Sequence, residues 1–251
     1  MSPSGYALLG ACALALLSAA TGCQSTQATS AEREAEGSQL LKSEKRLKVD
    51  KENPDIKVLD TALLSDDSGT AVVVEVENTS DEVQANVPVL IDVQDKKGKT
   101  VFSNDTPGLE PALTAIPAIK PGETFDWINN QVLPTGEPDS VKVKVGFGDQ
   151  DVPQTIPEID VGEPKLKTDP VTGVEAVGSV TNESPVLQEF LTIFAVARKG
   201  DEIVAAGRAV LKRLQPNGEK DGTYHVFFVG DPEGADITAT APPSVLEKEI
   251  G

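Results

Sequence analysis

His225 and a group of three acidic residues are the first candidates for chemistry in this sequence. His225 is the only histidine, and zinc or copper sites need several nitrogen or sulfur ligands, so we expect a hydrogen-bonded strand residue. Asp231, Glu233 and Asp236 fall within GDPEGAD, where closely spaced carboxylates could bind Ca²⁺. Their spacing does not match an EF-hand loop, and a solvated turn explains it equally well. We favour the turn and predict no metal ligand.

The motifs of common catalytic sites are missing from the sequence. No serine lies in a Gly-x-Ser-x-Gly motif, and the single histidine has no evident partner for nucleophilic catalysis. The GKT at 98–100 lacks the upstream glycine of a phosphate-binding loop. Trp127 and Phe125 share one face of a predicted strand, where they would form either a glycan platform or, as we favour, part of the core. We predict no catalytic or cofactor-binding residue, and hence no enzyme.

The charge balance restricts the partners. The chain carries 22 basic and 40 acidic residues, a formal net charge of −18. Nucleic-acid binding needs a basic surface that neutralises phosphates, so we expect no nucleic-acid partner. Aromatic residues make up only 4% of the sequence, so the core must consist mainly of Val, Ile, Leu and Ala.

The N-terminus has the pattern of an export signal. Residues 6–21 form an apolar run of signal-peptide length, short for a membrane span. Ala20-Thr21-Gly22 followed by Cys23 is similar to a bacterial lipobox, although no Lys or Arg precedes the apolar run. The resemblance implies a lipoprotein signal peptide at 1–22 and a lipidated Cys23 that anchors the protein to the cell membrane. An uncleaved anchor helix is the alternative. In both cases the rest of the chain lies outside the cytoplasm, at the cell surface or in the periplasm.

Residues 23–53 are predicted to be a polar tether. Acidic and basic residues are equally numerous between residues 24 and 53, and apolar residues are too few for a core. A flexible chain of this length spans at least roughly 30 Å, which would hold a folded body clear of a membrane. Cys12 lies within the apolar run. With Cys23 lipidated, the mature protein would therefore have no thiol for a disulfide or for catalysis.

Alternating hydrophobic residues predict strands throughout the rest of the chain. In GTAVVVEVEN, Val72, Val74 and Val76 fall on one face, and Val73 falls on the other with two glutamates. Such alternation is typical of antiparallel sheets with one buried and one wet face. The stretch FLTIFAVA (190–197) is apolar on both faces, which predicts either a central strand covered on each side or a strand at a domain contact. Frequent turn signals between short strands favour a β-sandwich.

The two halves of this region repeat one pattern. Three segments of the first half have counterparts in the second: Asn78-Thr79-Ser80 with Asn182-Glu183-Ser184, Asp95–Gly98 with Ala197–Gly200, and Ile119–Glu123 with Leu214–Glu219. We assign a structural role to Asn78 and Asn182, because Asn and Ser side chains cap backbone groups in turns. The repeat predicts two domains of the same fold.

Each half resembles an FxLYD-type domain, a small immunoglobulin-like sandwich of exported bacterial and archaeal proteins. The resemblance rests on the V-x-N-x-S break and on a phrase similar to L/I-x-P-G-E-x-x-F, which reads IKPGETF at 119–125 and LQPNGE at 214–219. The naming motif is degenerate at 91–95 and 194–198. It implies two tandem immunoglobulin-like antiparallel β-sandwiches, in an all-β fold. It implies no activity, because fold alone defines no ligand site.

The predicted organisation is therefore a signal peptide, a tether, two sandwiches and a short tail, at 1–22, 23–53, 54–152, 157–243 and 244–251. We expect a non-enzymatic, membrane-anchored binding or adaptor module whose partner is a protein or an envelope component. The alternative is a structural envelope spacer without a discrete ligand. A binding module should have a localised apolar or aromatic surface, whereas a spacer should have polar faces and a stiff joint.

Overall fold

Strands form almost all of the regular structure in the computed structural model, which describes residues 46–169 and 173–247. The predicted signal peptide, Cys23 and the tether up to residue 45 lie outside the described residues. Within the described ranges there is no α-helix, and one 3-10 turn occurs at Pro111–Leu113. Every strand pairing in these ranges is antiparallel. The predicted all-β fold is confirmed.

The first sandwich is built from seven strands. They are β1 (Ile56–Asp66), β2 (Gly69–Asn78), β3 (Gln84–Gln94), β4 (Thr100–Ser103), β5 (Ala115–Ile119), β6 (Thr124–Val132) and β7 (Ser140–Val145). One sheet has the order β1-β2-β6, and in the other β3 pairs with β4, β5 and β7. Val74, Ile91 and Trp127 are completely buried in the core of this sandwich.

The second sandwich is built from eight strands. They are β8 (Ile159–Val161), β9 (Lys165–Asp169), β10 (Gly173–Asn182), β11 (Gln188–Lys199), β12 (Glu202–Leu214), β13 (Gly222–Phe227), β14 (Val229–Gly230) and β15 (Asp236–Thr240). In one sheet β10 pairs with β13, β8 and β9, and the other sheet has the order β14-β12-β11-β15. Leu191, Ile193 and Tyr224 fill the core between them.

The repeat extends to individual hydrogen bonds. Asn78 Nδ2 donates to Glu82 O at 2.8 Å, and Asn182 Nδ2 donates to Val186 O at the same distance. The following serine of each repeat donates its hydroxyl to the Asn Oδ1, at 2.8 Å from Ser80 and 2.7 Å from Ser184. Both asparagines are fully buried. Each one closes the turn between two strands, which is the structural role predicted for it.

The buried core of the first sandwich includes residues of the second, and we call it the shared core. Strand β11 places Leu191 and Ile193 in its own sandwich, whereas Phe194 and Val196 join the buried cluster of the first sandwich. The rings of Phe194 and Phe125 meet edge to face, with centroids 5.2 Å apart. FLTIFAVA is thus both a central strand and a contact between sandwiches, so the two predicted alternatives hold together. The described residues belong to one compact unit.

The wet face predicted for β2 is wrong. Val73 is fully buried, as is Ile128, its partner across the β2–β6 pair. Glu75 and Asp126, which follow the same register, both bond to Arg198 of β11. The second face of this sheet is therefore covered by the second sandwich. Alternation along β2 could not reveal this cover, because it comes from strands more than a hundred residues later.

Candidate functional site

The acidic and histidine candidates do not form a site together. His225 lies on the β13–β10 pair with its Nδ1 2.9 Å from Glu175 Oε2, as expected of a hydrogen-bonded strand residue. Asp231 Oδ1 accepts a 3.0 Å hydrogen bond from the Glu233 backbone, so the GDPEGAD stretch is a turn. Among the described residues no group of three or more His, Cys, Asp or Glu side chains could hold a metal ion.

Trp127 belongs to the core and forms no glycan platform. Its side chain is completely buried, and its Nε1 donates to the carbonyls of Ala112 and Ala115, at 3.0 and 3.2 Å. Phe125, which shares its face, is 3% exposed. The buried indole fixes the 3-10 turn and the start of β5 against the core, and this segment forms one wall of a groove.

An apolar groove of about 370 Å³ runs between the two sandwiches. We call it the junction groove. Pro111, Ala112, Ala115 and Pro117 line it from the first sandwich, and Phe190, Thr192, Val210 and Ser244 line it from the second. Phe190 is 66% exposed and Val210 is 39% exposed. Apolar side chains at this exposure, grouped in one concave place, are typical of a contact surface.

A buried asparagine holds the first wall of the junction groove in position. Strands β4 and β5 both pair with β3, and residues 104–114 lie between them. Asn104 fills the gap in hydrogen bonding: its Oδ1 accepts from Ile91 N at 2.9 Å, and its Nδ2 donates to the carbonyls of Val89 and Leu113. The side chain thus replaces a missing strand residue. Because it is fully buried, the wall is fixed to the core.

Two residues with left-handed backbone lie at the junction groove. Asn86 has φ of 48° and Phe190 has φ of 52°. Each lies eight residues after the buried asparagine of its repeat, so the two positions are equivalent. Asparagine tolerates this region, whereas a bulky aromatic residue there is an outlier. The second sandwich thus has the same left-handed conformation as the first at this position, but with a residue type that disfavours it.

Carboxylates surround the junction groove. Glu110 and Glu189 are exposed lining residues, and Asp149 accepts a hydrogen bond from the side chain of Asn86. Glu110 Oε2 is 2.8 Å from Nη2 of Arg208, a side chain that is 3% exposed. No Lys or Arg is among the lining residues that the structure describes. The rim is therefore negative.

An ion network on the covered face of β2 and β6 helps to fix the junction. Arg198 donates two hydrogen bonds to Asp126, at 2.9 and 2.7 Å, and one to Glu75 at 2.9 Å. The bonds to Asp126 are the main cause of a raised pKa for Arg198, so the guanidinium stays charged. Arg208 also donates to Asn130 at 2.9 Å. These contacts keep both walls of the groove at one spacing.

Comparison with family models and with curated proteins identifies no relative. No family model matches the sequence, and a search of curated proteins finds no match. The resemblance to FxLYD-type domains therefore rests on the sequence motifs. None of the described residues forms a helix long and apolar enough to cross a membrane. Cys23, the predicted lipidation site, lies outside the described residues.

The junction groove was not predicted from the sequence. Its lining residues come from five separate stretches, and none of them carries a motif. One signal was present: aligning Asn78 with Asn182 also aligns Asn86 with Phe190. An aromatic residue aligned with a polar one at the start of a strand marks a position where the two domains differ in their surface.

Proposed function

We propose that this protein is a membrane-anchored extracytoplasmic lipoprotein that acts as a non-enzymatic binding or adaptor module. The junction groove is the observation that carries the proposal, because it combines an exposed aromatic residue, apolar walls and a polar rim. This combination is typical of protein contact sites, in which a central apolar anchor is surrounded by polar residues. The partner is a protein or an envelope component.

The rigidity of the groove supports this function. Its two walls are attached to buried elements through Asn104 and Trp127 on one side and through β11 on the other. A site whose walls are already in place loses little conformational entropy when a partner binds. The groove therefore suits recognition of a surface or segment of defined shape.

Lipidation of Cys23 would place the groove next to the membrane, at a distance set by the tether of residues 23–53. The short apolar run and the small residues before Cys23 support this part of the proposal. Assignment of each sandwich to an FxLYD-type domain belongs to the same proposal and is supported by the repeat. That assignment adds no activity, which agrees with a binding role.

A structural envelope spacer is the second candidate, and the shared core favours it. Phe194 and Val196 lie in the buried cluster of the first sandwich, and Arg198 joins Glu75 and Asp126 there. A spacer needs a stiff connection of this kind. It does not need an exposed aromatic groove, which is why we prefer the binding module.

Cell fractionation of the Cys23→Ala variant tests the anchor. We expect loss of the variant from the membrane fraction, or failure of its maturation, because no thiol remains for the lipid. A variant that stays in the membrane with unchanged processing would show that the lipobox assignment is wrong.

In-cell crosslinking of the tagged protein, followed by affinity capture and mass spectrometry, tests the binding function. The Cys23→Ala variant is the unanchored control. One dominant partner captured with both forms supports a binding module. Capture with the lipidated form alone would mean that the contact depends on membrane proximity. A diffuse set of abundant envelope proteins favours the spacer.

A further inference from the structure

We propose that Phe190 is the anchor of a docking site that takes an apolar side chain from a positively charged polypeptide segment. The site is the junction groove. The inference rests on the proposed binding function and adds to it the contact residue and the chemistry of the partner.

The backbone of Phe190 indicates that folding alone does not explain this residue. Its φ of 52° is equivalent to the 48° of Asn86 in the first sandwich, where asparagine adopts the left-handed region at low cost. Phenylalanine has no side-chain polar group to stabilise that conformation. With 66% of its surface exposed, it also gains little from burial. An unfavourable residue type at an exposed groove is accounted for by contact with a partner.

Three polar side chains of the groove are already paired within the chain, which restricts the ligand. Glu110 is paired with Arg208, Asn86 donates to Asp149, and Ser244 Oγ donates to the Glu189 carbonyl at 2.8 Å. Sites for small polar metabolites present converging free polar groups. Here the lining is mainly apolar. An aromatic anchor beside prolines instead suits an apolar side chain of a polypeptide.

The charge around the groove identifies the partner as basic. Glu189 lines the groove and Asp149 lies beside it, both exposed, while Arg208 offsets the charge of Glu110. A second copy of the chain would bring the same carboxylates and its own net charge of −18, so like charges would oppose that contact. An anionic membrane surface is opposed for the same reason. A segment with Lys or Arg next to its apolar residue is complementary.

Site-specific photo-crosslinking in cells tests the proposal with the full-length, lipidated protein. Phe190 is replaced by the photoreactive analogue benzoylphenylalanine, and Phe227, which is 49% exposed outside the groove, is replaced in a matched control. We expect a dominant protein adduct from position 190, at least about tenfold stronger than from 227. Its crosslinked peptide should contain Lys or Arg within a few residues of the attached apolar residue. The yield should fall several-fold in permeabilised cells as salt rises from about 0.05 to about 0.5 M.

Four outcomes would overturn the inference. Adducts with a second copy, with lipid or with residues 24–45 of the same chain would assign the groove to another occupant. A crosslinked peptide without Lys or Arg would contradict the predicted positive charge of the partner. Equal adducts from positions 190 and 227 would contradict the location of the docking site at Phe190. In these last two cases a protein partner is still captured, so the binding function survives. Absence of any protein adduct at both positions would contradict the binding function as well.

The variant Phe190→Asn separates a binding role from a structural one. The probe is a synthetic peptide with the sequence of the crosslinked segment, titrated against the full-length protein. We expect at least about tenfold weaker binding with a melting temperature equal to or above that of the wild type, because asparagine is the residue used in the sister sandwich. Unchanged peptide affinity, or a lowered melting temperature together with weaker binding, would instead make Phe190 a structural residue.

Discussion

The two sandwiches solve the same packing problem with different residues. At one position of the core the first sandwich pairs Val74 with Trp127, and the second pairs Gly178 with Tyr224. A Cβ at Gly178 would collide with the Tyr224 ring and hydroxyl, so the glycine makes room for the ring. The backbone pattern and the asparagine turns are shared, whereas the side chains that fill and cover them are not. The positions that differ therefore show where the two sandwiches have separate roles.

The asparagine turns should produce the largest effect and test whether the halves are equivalent. Asn78→Ala and Asn182→Ala each remove an amide that binds three or more buried or half-buried groups. We expect each to reduce the free energy of unfolding by about 3 kcal/mol, the cost of leaving several such groups unsatisfied. Urea denaturation monitored by circular dichroism measures both.

The shape of that transition also tests the shared core. Because Phe194 lies in the core of the first sandwich, both variants should shift one common transition. Two separate transitions, with only the mutated half shifted, would show that the sandwiches unfold independently.

Arg198→Met should have the next largest effect, because it removes the connection between the halves. Glu75 and Asp126, at 24% and 18% side-chain exposure, would lose their cation. Partly buried pairs lose less than fully buried ones, so we expect about 2 kcal/mol of destabilisation. The matched control is Arg46→Met, which breaks the exposed pair with Asp105 and should cost less than about 0.5 kcal/mol. Equal destabilisation by the two variants would show that Arg198 does not stabilise the junction.

Tyr224→Phe should have a smaller effect that depends on pH. The Tyr224 hydroxyl donates to Gly162 O at 2.9 Å, and its loss should cost about 1 kcal/mol at neutral pH. Burial raises the pKa of Tyr224 above its usual 10.0, so the folded state holds the phenol proton more tightly. Its contribution is complete below pH 10 and is lost as pH rises through the folded pKa. In thermal melts from neutral to alkaline pH, the melting temperatures of the wild type and the variant should therefore converge. A difference that stays constant would contradict this assignment.

The exchange at the left-handed position should have the smallest effect and the clearest sign. Phe190→Asn should stabilise the protein by up to about 1 kcal/mol, and Asn86→Phe should destabilise it by about the same amount. Chemical denaturation of the two single variants checks both signs. Destabilisation by Phe190→Asn would mean that the ring contributes to folding after all.

Much of the fold could be predicted from the sequence, because period-2 alternation and the Asn-x-Ser repeat are local signals. The burial of Val73 on the second face of β2 could not, since the cover of that face comes from strands β12 and β14, far along the chain. The sequence signals the contact between the sandwiches only from the other side, because FLTIFAVA is apolar on both faces. Neither β2 nor FLTIFAVA, taken alone, indicates which segment packs against it.

The groove was harder to predict than the fold for a physical reason. Pro111 and Phe190 become neighbours only when two sheets and the segment held by Asn104 are assembled. Single residues of these types carry no signal of a shared surface. The candidates that the sequence did offer, His225 and the GDPEGAD acids, are a strand residue and a turn.

The shared core also sets the order in which the protein can mature. Arg198 lies 53 residues beyond Val145, the last residue of β7, and ribosomes add about 5–20 residues per second. For roughly 3–11 s the first sandwich can therefore exist with Val73 and Ile128 uncovered. A nascent chain in this state exposes an apolar sheet face that can aggregate with neighbouring chains. Its yield should depend on how quickly the second half follows, or on a chaperone that shields the first half until then.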